Sequence, residues 1–152
     1  MLIIGLAGGL GSGKSTVAGM LRELGAVVFD TDQIIREAYG PGGELTRLVA
    51  ELLGPETVAP DGGADRAKIA ALIFADEEAR RKINALVHPW VAARWRTLVD
   101  EAAAGGAQVA VIEGALYADK STGFHQLWVT VVARETALQR ATARGGLTRP
   151  QA

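Results

Sequence analysis

Apolar residues fall in short runs towards the two ends of the chain and at helical spacing through its middle. Leu2 to Ala7 is a continuous apolar run closed by glycines, which predicts a buried strand. Beyond a glycine-rich loop, Val17, Met20, Leu21 and Leu24 recur one helical turn apart, and Gly25 predicts the end of that helix. Val27-Val28-Phe29 predicts a second strand, stopped at Asp30. Strand, loop, helix and strand in such close succession make a βαβ unit, which favours a parallel sheet.

The pattern then changes. Pro41-Gly42-Gly43 and Gly54-Pro55 bracket a short helix on Leu45, Leu48, Val49 and Leu52, and Pro60-Asp61-Gly62-Gly63 predicts a turn. Asp65 is placed to cap a helix running through Ile69 and Leu72 to Phe74, and Asp76 to cap the next, through Ile83 and Leu86. Pro89 suits the first turn of a further long helix carrying Val91, Trp95, Leu98 and Val99. Residues 32–104 therefore read as mostly helical. Gly105-Gly106 leads into a strand from Val109 to Ile112 that ends at Glu113, and Leu127 to Val132 predicts a fourth strand. Glu135 to Arg144 reads as a basic helix stopped by Gly145-Gly146.

Composition narrows the picture without deciding it. A chain of 152 residues, 49% apolar and 22% charged, fits one globular domain with its own core. The net charge of −1 gives no general field for nucleic acid or an anionic membrane, so an anionic ligand has to be met by local charge. The absence of cysteine excludes disulfides, thiolate metal sites and a cysteine nucleophile, and fits a reducing cytoplasm. The first residues carry no basic signal-peptide region, and no apolar run reaches the ~20 residues of a membrane span. The expectation is an intracellular, cytoplasmic and soluble protein. No basic stripe with interleaved aromatics points to nucleic acid.

The strongest chemical signal lies between the first strand and first helix. Gly8-Gly9-Leu10-Gly11-Ser12-Gly13-Lys14-Ser15 satisfies the phosphate-loop pattern G-x-x-x-x-G-K-[ST]. Glycines let the backbone wrap closely around phosphates with its N–H groups turned inward, and the helix start adds partial positive charge. In this geometry residues Gly9, Leu10, Gly11, Ser12, Gly13, Lys14, Ser15 and Thr16 hold ATP. Lys14 reaches the β- and γ-phosphates, and the Ser15 hydroxyl ligates Mg²⁺. A dinucleotide-binding reading fails, because lysine stands where G-x-G-x-x-G needs its spacing. No Asn-Lys-x-Asp occurs, which argues against a switch GTPase.

Other candidates are less sharply defined. Glu113 ends a hydrophobic strand, the position from which an acid orients Mg²⁺ or its water, but an acid that only terminates the strand looks the same. Asp30 and Asp32 follow the second strand, where ligands bind in open α/β sheets. Asp32 reads as a base for an attacking hydroxyl or a substrate contact, with a helix cap as the alternative, and Asp30 as mainly structural. Arg140 and Arg144, one turn apart with Arg134 and Arg149 flanking, would close over a triphosphate or simply complement a helix C-terminus.

Taken together, these segments resemble the dephospho-coenzyme A kinase family. The resemblance rests on Ile4 to Thr16, with Ala7 where threonine is usual, and on Val28-Phe29-Asp30-Thr31-Asp32 and Pro41-Gly42. Asp61-Gly62 with Asp65-Arg66 and Phe74 also match, as does Ile83-Asn84-Ala85-Leu86-Val87-His88-Pro89. It implies an α/β P-loop NTPase kinase fold with sheet order 2-3-1-4-5. In that scheme 1–31 and 105–134 form the nucleotide-binding core of a single domain, 32–104 a helical substrate-binding insert, and 135–152 part of a lid. It also implies ATP-dependent phosphorylation of the ribose 3′-hydroxyl of dephospho-CoA, a small-molecule substrate, in the last step of CoA biosynthesis.

The resemblance gives Lys14, Asp32 and Arg140 catalytic roles, Asp32 as the proton acceptor and Arg140 as a lid arginine on the phosphates. It sets His88 near the floor of the substrate region, although capping of a helix before Pro89 is equally open. Two features depart from the family pattern. The Pro-Leu-Leu-Phe-Glu segment is replaced by Gly114-Ala115-Leu116-Tyr117-Ala118, and the chain reaches Ala152 where the family continues into a second lid helix and a fifth strand. The fourth strand would then be an apolar edge open to self-association. A kinase for another nucleoside-like alcohol and a nucleotide-binding form without catalysis are the alternatives.

Overall fold

The computed structural model describes residues 1–114 and 123–145, apart from the side chains of residues 141, 144 and 145. These residues divide into two compact units, one formed by Met1–Asp30 and Leu98–Ala152 and the other by Thr31–Thr97.

The first unit is built on β1 (Leu2–Gly8), whose residues Ile4 to Ala7 are all buried. Such an unbroken apolar run suits a strand covered on both faces, as parallel sheets require. β2 (Val27–Asp30), β3 (Val109–Glu113) and β4 (Gln126–Thr130) complete a parallel sheet in the order β2-β3-β1-β4. This is the 2-3-1-4 order expected from the resemblance. α1 (Lys14–Glu23) lays Val17, Ala18 and Leu21 against Ile4, Leu6 and Val111.

Register determines where chemistry can gather. Leu6 and Asp30 both pair with Glu113, and Gly8 pairs with Thr130. The C-terminal ends of all four strands thus reach one edge of the sheet, the edge at which α1 begins. α6 (Arg134–Gly145) follows β4 in the same unit.

β4 is shorter than the apolar run Leu127 to Val132 suggests. Its ladder to β1 ends at Gly8 opposite Thr130, so Val131 has no strand beside it and is 83% exposed. Arg149 and the altered residues 115–118 lie outside the described residues.

The second unit is helical: α2 (Thr31–Ala38), α3 (Glu44–Leu53), α4 (Arg66–Ala75) and most of α5 (Glu77–Ala104). Between α3 and α4, a 3-10 turn at Pro55–Thr57 is followed by a tight turn closed by the bridge between Val58 and Ala64. The Asp65 carboxylate accepts the Lys68 N–H at 3.0 Å, capping α4 as its position predicts. That bond, with the Lys68 ammonium, holds the Asp65 carboxyl below its ordinary pKa. Asp76 likewise accepts the Glu78 N–H at 2.8 Å before α5.

One expectation is overturned here. Pro89 does not begin a helix; it lies inside the continuous 28-residue α5. An internal proline forfeits the bond to the carbonyl four residues back and costs about 3 kcal/mol. Against that cost stands a stripe of buried side chains repeating every four residues: Ala79, Ile83, Val87, Val91, Trp95 and Val99. Val87 and Val91 are buried on either side of the proline, and each contributes roughly 1.5–3 kcal/mol. The helix therefore runs through, and His88, exposed in its interior, has no helix start to cap.

Candidate functional site

The loop from Gly9 to Gly13 joins the end of β1 to the first turn of α1. It is pinned by its own backbone: Ser12 N–H donates to Gly9 O at 3.2 Å, and Thr16 and Val17 N–H both donate to Gly13 O at 3.1 Å. Lys14 folds back over the loop, donating from Nζ to Gly8 O at 2.7 Å and Gly9 O at 3.0 Å. An ammonium has three N–H bonds, so the third is the one a phosphate oxygen can take without disturbing this arrangement.

Ser15 is exposed, and its hydroxyl donates to Glu113 Oε1 at 2.8 Å. Residues 98 positions apart in the chain meet because β3 lies beside β1 and Glu113 occupies its last position. The sequence alone does not place this contact. Glu113 does more than end a strand, because its carboxylate is bonded to the hydroxyl that the loop motif assigns to a cation. Asp30 pairs with Glu113 in register on the outer side, so two acid-bearing positions adjoin at the sheet edge.

On the other side, α6 approaches the loop closely. A Cβ placed on Gly11, which has φ +72°, would collide with the carbonyl oxygen of Ala137, so only glycine fits there. One turn along α6, Arg140 lines a cavity of about 420 Å³ together with Gly11, Ser12, Gly13, Thr16 and Val17. Its Nη1 lies 3.7 Å from where a Gly13 Cβ would stand.

The structure thus brings together Gly9 to Thr16 and Arg140 within the first unit, and adds Glu113. Asp32 and His88 belong to the second unit, where Asp32 is exposed on the first turn of α2 and His88 is exposed on α5. Thr130 was not singled out from sequence. Its hydroxyl lies 2.7 Å from Ser12 Oγ and donates to Ala7 O at 3.3 Å. The only clue was one hydroxyl side chain interrupting an apolar strand near its C-terminal end.

The arrangement offers a glycine-rich loop and an arginine around one small cavity, with a lysine and a hydroxyl–carboxylate pair on the same loop and the first turn of α1. It can hold a polyphosphate and a hard cation. The family model for dephospho-CoA kinase matches residues 2–152. A dephospho-CoA kinase of Geobacter sulfurreducens is 42% identical over 154 residues, covering 100% of this chain and 78% of that protein. One from Burkholderia pseudomallei is 40% identical over 153 residues, covering 99% of this chain and 74% of that protein. Among solved structures, a Thermus thermophilus protein superposes with a TM-score of 0.77 at 34% identity, over 98% of this chain and 75% of that one. The dephospho-CoA kinase from Campylobacter jejuni, at 17% identity, shares the fold with a TM-score of 0.66 over 97% of this chain and 74% of that one.

Proposed function

The chain belongs to the dephospho-CoA kinase family, the phosphotransferases of the last step of coenzyme A biosynthesis, and we propose that it moves the γ-phosphate of ATP to the ribose 3′-hydroxyl of dephospho-CoA using the residues described above. The observation that carries this reading is the hydrogen bond from Ser15 to Glu113 beside a complete phosphate loop.

In this reading the backbone N–H groups of Gly9 to Gly13 cradle the ATP phosphates, and Lys14 offers its third N–H to the β- and γ-oxygens. Arg140 faces the same cavity and offsets the negative charge that spreads over the transferring group. Ser15 and Glu113 are oxygen donors suited to Mg²⁺. Among the described residues no group of three or more His, Cys, Asp or Glu side chains is placed to hold a metal ion, so Ser15 and Glu113 are the residues that would hold Mg²⁺ together with the nucleotide. When bound, Mg²⁺ neutralises charge between the β- and γ-phosphates.

Asp32 is assigned the proton of the attacking 3′-hydroxyl, supported by its match to the family motif and its place two residues beyond the end of β2. The helical region 32–104, including His88, is assigned to binding the acceptor. No described helix is long and apolar enough to cross a membrane. We infer a cytoplasmic location from the lack of cysteine in the sequence together with the ATP-dependent biosynthetic reaction.

Paired variants test these assignments. Lys14→Ala is expected to weaken ATP binding and turnover together, turnover by on the order of 100-fold or more. Asp32→Asn is expected to lower kcat by at least about 100-fold while ATP affinity stays within about 2-fold. Equal losses of kcat and ATP affinity in Asp32→Asn would make Asp32 structural, and an unchanged Lys14→Ala enzyme would remove the loop from the reaction.

A further inference from the structure

The phosphate loop is held from below by a side chain that the motif does not contain. Ser12 is 8% exposed and its hydroxyl turns into the protein, 2.7 Å from Thr130 Oγ1. Thr130 Oγ1 also lies 3.3 Å from the Ala7 carbonyl oxygen, to which its hydroxyl can donate. Either hydroxyl can be the donor in the shorter bond, and together the three groups link Ser12, Thr130 and the Ala7 carbonyl. A Cβ on Gly8 would strike both hydroxyls, so the pair is packed directly against the backbone where β1 turns into the loop.

The geometry has a consequence for nucleotide binding. The loop's backbone N–H groups converge on phosphate only while residues 9–13 keep their curvature. The bond that closes that curvature internally, Ser12 N–H to Gly9 O, is comparatively long at 3.2 Å. Anchoring the Ser12 side chain to β4 fixes the same residue from its other end.

We propose that Thr130 is a positioning residue for the phosphate loop, holding Gly9 to Gly13 through Ser12 in the arrangement that accepts ATP before ATP arrives. The gain is one of preorganisation: ordering that is complete in the free protein is not subtracted from the binding free energy. Thr130 reaches no reacting atom, so its effect falls on ATP affinity rather than on the chemical step. The proposal rests on the assignment of the loop to ATP.

The test uses the full chain, with ATP affinity by calorimetry, KM and kcat by product formation, and amide hydrogen exchange of residues 9–13 without nucleotide. Thr130→Val keeps the shape and removes the hydroxyl. It should raise the Kd and KM for ATP by about 3- to 10-fold, with kcat within about 2-fold, and speed exchange at the Ser12 amide. Thr130→Ser restores the hydroxyl and should stay within about 2-fold of the parent. Ser12→Ala should match Thr130→Val, and the double variant should lose no more than either single one, since both act through one bond. Unchanged ATP affinity and unchanged exchange in Thr130→Val, even with a lowered Tm, would overturn the proposal, as would additive losses in the double variant. If the parent binds ATP but forms no product, the kinase reading fails while the affinity series still decides the role of Thr130. If it binds no ATP, the exchange data decide it.

Discussion

β3 and β4 flank the same central strand, both in parallel, both five residues long and both built mainly from apolar side chains. Their surroundings are opposite. Ala110, Val111 and Ile112 of β3 are 0% exposed, whereas Leu127, Trp128 and Val129 of β4 are 46%, 40% and 58% exposed. β3 sits between β1 and β2, while β4, outermost among the described residues, has β1 on one side only. Yet each delivers one polar side chain from its C-terminal end to the phosphate loop: Glu113 to Ser15 and Thr130 to Ser12. The pairing separates two roles that a strand can play. Burial along its length fixes the fold, while register at its end fixes the site, and the second does not require the first.

The sharpest way to break this comparison is to shorten one side chain on each strand. Ile112→Ala should destabilise the protein by about 2–5 kcal/mol, because it removes buried methylenes and leaves a cavity. Val129→Ala on the exposed strand should stay within about 0.5 kcal/mol. Urea unfolding with an unchanged m-value would measure both, and equal losses would show that β4 is as deeply packed as β3.

Next in size is the effect at the strand ends. Glu113→Gln keeps the shape and a hydrogen-bond acceptor but removes the charge. Turnover should fall by about 10- to 100-fold, partly recovered at raised Mg²⁺, with little change in Tm. A loss of stability without a change in Mg²⁺ dependence would return Glu113 to a purely structural position. The smallest expected effect is that of Thr130→Val, felt in ATP affinity alone. A kcat loss there as large as that of Glu113→Gln would abolish the distinction between the two strand ends.

Much of this was legible in the chain. Leu2 to Ala7, the glycine loop and the Val17–Leu21 spacing determine a strand, a tight turn and a helix through local constraints, and these appear where expected. Asp65 and Asp76 announced helix starts for the same reason, since a cap acts over three residues. What could not be read depends on contacts between distant segments. Glu113 looks identical in sequence whether it terminates a strand or bonds to Ser15. Thr130 meets Ser12 across a separation of 118 residues with no motif to link them. Pro89 misled because local propensity argues for a break, while the buried stripe from Ala79 to Val99 outweighs it. The apolar run at Leu127 to Val132 overstated β4 because a strand extends only as far as its neighbour.

The central claim is that this loop, with Lys14, Ser15 and Glu113, phosphorylates dephospho-CoA. The most direct measurement incubates the purified 152-residue chain with ATP, Mg²⁺ and dephospho-CoA, following ADP release and the mass of the acceptor. The account predicts coenzyme A, with one phosphate added at the ribose 3′-oxygen and one ADP formed per product. ATP that binds but yields no phosphorylated dephospho-CoA at saturating acceptor would contradict it.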